Sequence, residues 1–236
     1  MSNNEFYNTL FNEFWRNVDR TALVEDADSM FGDAETFAWL IRTVRPKQII
    51  EIGSWKGHSA NHMIDVCREN NIDARIVCVD TFLGGPEHWL LPGALESLQR
   101  KNGQPTILNG FLANTIARGN VGKVFPLCLD SPAAASVLAH FDFKADLIFV
   151  DAAHDYDAVT RDILKYYPLL SADGVMFGDD YQFKPLADAV HDCARKLGLE
   201  VLVHARKWVF LTESFLRKCT LPDVQLRKSF DGWVHP

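Results

Sequence analysis

Phe149-Val150-Asp151-Ala152-Ala153-His154-Asp155-Tyr156 and, further on, Gly178-Asp179-Asp180-Tyr181 decide how this chain folds. Asp146–Val150 (DLIFV) and Val175–Phe177 (VMF) read as buried strands, and each apolar run stops abruptly at acid. Between them Tyr156, Val159, Ile163, Tyr167 and Leu170 fall on one face of a helix. Strand, helix, strand is a right-handed crossover between parallel strands. Parallel strands end at one edge of their sheet, and open α/β sheets bind ligands there. Asp151 therefore meets Asp179 and Asp180. Carboxylates crowded together repel, so they need a shared proton or a cation. A hard divalent ion with oxygen ligands is the simplest such cation. The plainer alternative is that the acids cap helices or line a wet loop, which would account for a single Asp. A cluster at two strand ends points instead to a site.

Upstream, Gln48-Ile49-Ile50-Glu51-Ile52-Gly53-Ser54-Trp55-Lys56-Gly57-His58-Ser59 opens with a core strand over Ile49–Ile52. Gly53 and Gly57 lie in the turn to a helix expected over about 59–68. Glycines there let a ligand approach the backbone, and the helix N-terminus offers free N–H groups. The spacing is G-x-x-x-G, not the G-x-G-x-x-G of a dinucleotide site. Arg75–Val79 is the next strand and ends in Asp80, an acid placed either to accept a ribose diol or to cap the next element. Lys123–Leu129 reads as a third strand, ending in Asp130-Ser131-Pro132. Ser131 before Pro132 reads as an N-cap with proline at the first helical position.

The flanks fill out a single domain. Asn3–Val18 is a helical pattern with Phe6, Leu10, Phe11, Phe14 and Trp15 on one side, and Asp33–Val44 is a second helix capped by Asp33. So many aromatics imply packing outside the helix itself, on the core or over a substrate. Thr81–Gln104, with Gly84, Gly85, Glu87, His88 and Trp89, reads as a cover over a pocket, with a short helix at Leu95–Leu98. Phe111–Ile116 and Leu186–Leu197 read as helices, the latter ended by Gly198. Val201–His204 and Trp208–Leu211 pair about a tight turn and add an antiparallel strand to a mostly parallel sheet. The expected organisation is one domain over 1–236: a helical cap (1–45), a core (46–212) with an insertion at 81–110, and a tail (213–236).

Lys+Arg 24 against Asp+Glu 31 gives a net charge of -7, which disfavours nucleic-acid and anionic-membrane partners. Cys67, Cys78, Cys128, Cys193 and Cys219 form no C-x-x-C and several sit in apolar runs, so buried free thiols in a reducing cytoplasm are expected. The polar, acidic start is no signal peptide, and no apolar run approaches a membrane span. His58 and His62 lie one turn apart but lack a third ligand at a metal spacing, and read as helix-surface residues.

The order E-I-G-x-x-x-G, V-D-T, D-S, V-D-A-x-H-x-Y, G-D-D-Y and a closing hairpin resembles the class I S-adenosylmethionine-dependent methyltransferases. More narrowly it is similar to the metal-dependent O-methyltransferases, which include catechol and macrolide-sugar enzymes. The resemblance spans roughly Gln48–Thr212. It implies an α/β, Rossmann-like, seven-stranded, mostly parallel sheet with an antiparallel last strand and helices on both faces. By the same resemblance Gly53, Ser54, Gly57 and Ser59 border the methionine part of the cofactor, and Glu51 orders that end. Asp80, followed by Thr81, matches the ribose acid, and Asp130 and Ser131 lie beside the adenine. Asp151, Asp179 and Asp180 match the ligands of a Mg2+ or other divalent ion, with Asp151 also bordering the cofactor. Catechol enzymes carry Asn where Asp180 stands, and a catalytic lysine where His154 stands.

The reaction so implied is methyl transfer to a hydroxyl of a small molecule such as a sugar moiety or natural product. His154 would act as base and Asp151 would hold the reacting oxygen through the ion, with His88 in reserve as base. Three alternatives share parts of the pattern: a cephalosporin hydroxylase-like protein, a non-catalytic S-adenosylmethionine binder, and an NAD-dependent oxidoreductase. The last lacks its glycine fingerprint. A homo-oligomer is expected from relatives of this kind.

Overall fold

A computed structural model describes residues 2–21, 23–26 and 34–219 of the chain. Apolar runs form the strands β1 (Gln48–Ile52), β2 (Arg75–Asp80), β3 (Val124–Cys128), β4 (Ala145–Val150), β5 (Leu170–Gly178), β6 (Glu200–His204) and β7 (Lys207–Leu211). They build one seven-stranded sheet in the order β3-β2-β1-β4-β5-β7-β6. β1 pairs in parallel with β2 on one side and β4 on the other, and β7 runs antiparallel to both β5 and β6. Chain order therefore reverses between β1 and β4, which opens a crevice at the carboxyl ends of these strands. Ile49, Ile50 and Glu51 are fully buried, as expected of a central strand covered on both faces.

The helices are α1 (Asn3–Leu10), α2 (Phe14–Asn17), α3 (Ala34–Val44), α4 (His58–Glu69), α5 (Pro86–Leu90), α6 (Ile107–Ala117), α7 (Ser131–His140), α8 (Tyr156–Tyr166), α9 (Lys184–Leu197) and α10 (Glu213–Lys218). The first departs from the sequence pattern. Asn3–Val18 is not one helix: the chain breaks after α1, and Glu13 takes a left-handed φ of 60° before α2. The break lets both halves face the sheet. Phe6 packs edge-on to Phe141 and Phe143, and the Trp15 indole donates to the Val124 carbonyl at 3.1 Å. Leu10, read as part of the apolar face, is 40% exposed.

Other boundaries shift for local reasons. Tyr167–Leu169 is a 3-10 turn, and Leu170 belongs to β5, not to the helix before it. The polar first half of β5 hid the strand, and its pairing with β4 carries a register shift between Ala145 and Leu147. The N-cap of α7 is Asp130, whose carboxylate accepts the Ala133 N–H at 2.8 Å; Ser131 is the first residue of the helix proper. Ala94–Leu98 is a 3-10 turn, and α6 begins earlier than its apolar pattern suggested. Gly198 ends α9 with φ 69°, as its position implied. Asp33 and the tail from 220 lie outside the described residues. Cys67, Cys78 and Cys193 are buried free thiols and Cys128 an exposed one. No helix among the described residues is long and apolar enough to cross a membrane.

Candidate active site

The crevice is a cleft of about 800 Å³ lined from the carboxyl ends of β1, β2, β4 and β5 and from the β6–β7 turn. Its floor is the turn after β1. Gly53 has φ +85°, and a Cβ there would lie 2.0 Å from the Asp151 carbonyl oxygen. Only glycine lets this turn pass so close to the exit of β4.

Glu51 stands beneath the turn, 0% exposed. Its Oε1 accepts the Ser59 hydroxyl at 2.5 Å, whereas Oε2 and the Ser54 hydroxyl are buried with no partner at hydrogen-bond geometry among the described residues. Burial pushes the Glu51 carboxyl up to about 7, against the lowering effect of the Ser59 hydroxyl. Buried orphan acceptors need a donor, and the α-ammonium of a methionine moiety is a donor of fitting charge.

Asp80 first of all fastens the turn. Its Oδ2 accepts the N–H of Ser54 at 3.0 Å and of Trp55 at 2.8 Å, and its Oδ1 accepts that of Phe82 at 2.7 Å. A carboxylate has about four acceptor sites, so Asp80 keeps capacity for a ribose hydroxyl. Burial raises its pKa, and the three N–H bonds oppose the rise. Thr81 lies just beyond, also lining the cleft. At the far end the Ser131 hydroxyl donates to Asp162 Oδ1 at 2.5 Å, and the Tyr166 hydroxyl donates to the Ser131 carbonyl at 2.9 Å. Asp130, Ser131, Arg161 and Asp162 line that end.

The acid cluster lies between this floor and the β6–β7 turn. One donor atom each from Asp151, His154 and Asp180 falls within 4.8 Å of the others. His154 Nε2 is 2.8 Å from Asp180 Oδ2, while Asp180 Oδ1 accepts from Arg206 at 2.8 Å and Gln182 at 2.9 Å. Burial raises the Asp180 pKa, but the His154 and Gln182 hydrogen bonds and the charges of His154 and Arg206 outweigh it, and the net shift is downward. The bond to Asp180 raises the pKa of His154. Asp151 accepts no hydrogen bond from a described side chain, and its pKa is pushed up to about 8 by burial and by the charges of Asp179, Asp180 and Glu51. A divalent cation would relieve that crowding of charge, so these carboxylate oxygens fit one.

Asp179, expected beside them as a ligand, lines the cleft but is engaged by a lysine. Its Oδ2 accepts from Lys207 Nζ at 2.6 Å and its Oδ1 accepts the Asp180 N–H at 2.7 Å. Sequence reading missed Lys207 and Arg206. A signal for them existed: an antiparallel strand starts at the edge where its parallel neighbour ends, so the first residue of β7 lands beside Asp179. It also missed the stack of Trp55 on His88, with ring centroids 4.3 Å apart, which docks α5 against the glycine turn. His58 is no metal ligand here: its Nε2 lies 2.9 Å from the Asp26 carbonyl oxygen.

A parallel sheet with a glycine turn, a buried acid under it and a second acid fastening it defines a nucleoside-cofactor fold. The sequence then places it more narrowly. The chain belongs to the methyltransferase-domain family, whose model matches residues 50–181, and is an S-adenosylmethionine-dependent methyltransferase. Among solved structures it is similar to the O-methyltransferase NovP, with 18% identity and a TM-score of 0.53 over 75% of this chain and 78% of that one. It is similar to CalS11, a calicheamicin methyltransferase, with 20% identity and a TM-score of 0.56 over 77% and 79%. Cofactor-bound Rv0187 from MTB gives 15% identity and a TM-score of 0.55 over 80% and 83%. At these identities the likeness is one of fold. No curated protein matches the sequence.

Proposed function

We propose that the protein is a divalent-cation-assisted O-methyltransferase acting on a hydroxyl of a small molecule, a sugar moiety or a hydroxylated natural product. The observation that carries this reading is the convergence of Asp151, His154 and Asp180 beside the cofactor turn. It is supported by the likeness in fold to NovP, an O-methyltransferase, and to CalS11, a calicheamicin methyltransferase.

S-adenosylmethionine supplies an electrophilic methyl group, and a divalent cation such as Mg2+ would act as Lewis acid on the acceptor oxygen. Asp151 and Asp180 would hold the cation. Glu51, Gly53, Ser54, Gly57 and Ser59 seat the methionine end; Asp80 and Thr81 hold the ribose; Asp130 and Ser131 border the adenine. The acceptor oxygen must lie ~3 Å from the methyl carbon, in line with the breaking bond. An alcohol is a poor nucleophile, so a base must take its proton as the bond forms. His154 is that base: its Nε2 stands at the cluster, 2.8 Å from Asp180 Oδ2, within reach of a proton leaving a hydroxyl held there. Such help is typically worth about 10² to 10⁴ in rate.

The test is methyl transfer from labelled S-adenosylmethionine to a panel of vicinal diols, with and without EDTA. Transfer that stops in EDTA and returns with Mg2+ or Mn2+ is expected. Undiminished transfer in excess EDTA would remove the cation from the mechanism. His154→Ala should lower kcat about 10² or more while S-adenosylhomocysteine still binds; an unchanged pH–rate profile would exclude His154 as the base.

A further inference from the structure

The acid cluster carries two cations of its own, Lys207 and Arg206, both delivered by the β6–β7 turn. Lys207 is 1% exposed. Its ammonium sits 2.6 Å from Asp179 Oδ2, 4.9 Å from the centroid of Phe37 and 5.7 Å from that of Phe149. Asp179 is thus its one ion-pair partner among the described residues, beside two aromatic rings. Removing one member of a buried ion pair leaves a charge stranded away from water, at heavy cost. Asp179 therefore cannot swing to a metal without stranding Lys207. Arg206 differs: it is half exposed and leans on Asp180 and Asp179 from the rim.

Resting on the proposed cation centre, we propose that Lys207 sets the strength of that centre by holding Asp179 as its counter-ion and out of the coordination sphere. Lys207 is a positioning residue that acts through Asp179. The carboxylates left to face the ion are Asp151 and Asp180. The ion meets two carboxylates where Asp151 and the two acids of the G-D-D motif together offer three. Because charge count tunes the affinity of oxygen sites for hard cations, the ion is held loosely and exchanges readily. A chelating acceptor then completes its coordination. Deleting this buried lysine should therefore tighten metal binding.

The experiment is Mn2+ binding, followed by electron paramagnetic resonance, to wild type, Lys207→Met, and Lys207→Met/Asp179→Asn. Lys207→Met is expected to bind Mn2+ about tenfold or more tightly, because Asp179 is released to the ion. The double variant, which removes both charges, is expected to return to within about threefold of wild type. If wild type binds Mn2+ and Lys207→Met binds it equally or more weakly, the inference falls while the cation centre stands. If Lys207→Met fails to fold, the double variant decides, since it buries no charge. Loss of affinity beyond about thirtyfold there would show Asp179 to be a ligand and overturn the proposal. If no form binds Mn2+, the cation centre itself is wrong and the role of Lys207 goes with it.

Discussion

Glu51 shows how much a single residue can report. Its carboxyl has a folded-state pKa near 7 against an ordinary 4.5, because it is buried with one oxygen unpaired. The folded protein therefore holds a proton that the unfolded chain has already released between those values. Stability contributed by this group is highest below the ordinary carboxylate range and declines as pH rises to about 7. The penalty above that pH is roughly 3 kcal/mol. Glu51→Gln removes it, so thermal unfolding should show the variant gaining on wild type at pH 8 and not at pH 4. Equal differences at both pH values would mean that Glu51 is ionised in the fold. Glu51 and Asp80 were legible in the sequence because each lies in or at the end of a strand whose direction is fixed by parallel pairing. The cap of α7 was misplaced by one residue, since Asp130 and Ser131 are both good caps and only backbone geometry chooses between them.

At the scale of elements, the insertion between β2 and β3 and the β6–β7 hairpin close the cleft from opposite sides. α5 is tied down by the stack of His88 on Trp55, and His88 also accepts the Gly85 N–H at 3.1 Å. Leu90 and Leu91 on this element are 79% and 57% exposed, so little else of it is buried. His88→Ala should leave S-adenosylhomocysteine affinity within about threefold and raise the acceptor KM by ~2- to 10-fold, the value of one aromatic stack. A fall in kcat with unchanged KM would instead make His88 part of the proton path. Glycines and aromatics marked 81–104 in the sequence as a cover, and Thr81, Gly84, Gly85, Glu87 and His88 line the cleft. It did not show which ring holds the cover down, because Trp55 and His88 belong to separate elements and no local pattern pairs them.

Over the whole molecule, the N-terminal segment is part of the core. Phe6 is fully buried among Tyr7, Phe11, Phe141 and Phe143, far along the chain from the cleft-lining residues. Truncating such a ring typically costs about 3–5 kcal/mol through lost burial and the cavity left behind, so Phe6→Ala should lower the free energy of unfolding by about that much, read from denaturant titration. Cofactor affinity should stay within about threefold, since distant sites act independently. A large loss of affinity with unchanged stability would show that α1 shapes the cleft. The sequence by itself determined the parallel crossovers and the gathering of Asp80, Asp151, Asp179 and Asp180 at one sheet edge. Apolar runs ending in acid, joined by helix-period segments, leave the chain no other way to pair. Only the tertiary structure decided which of those acids is paired with a buried lysine. β7 runs antiparallel to β5, so its first residue, Lys207, arrives against Asp179, and a buried ammonium must keep its counter-ion.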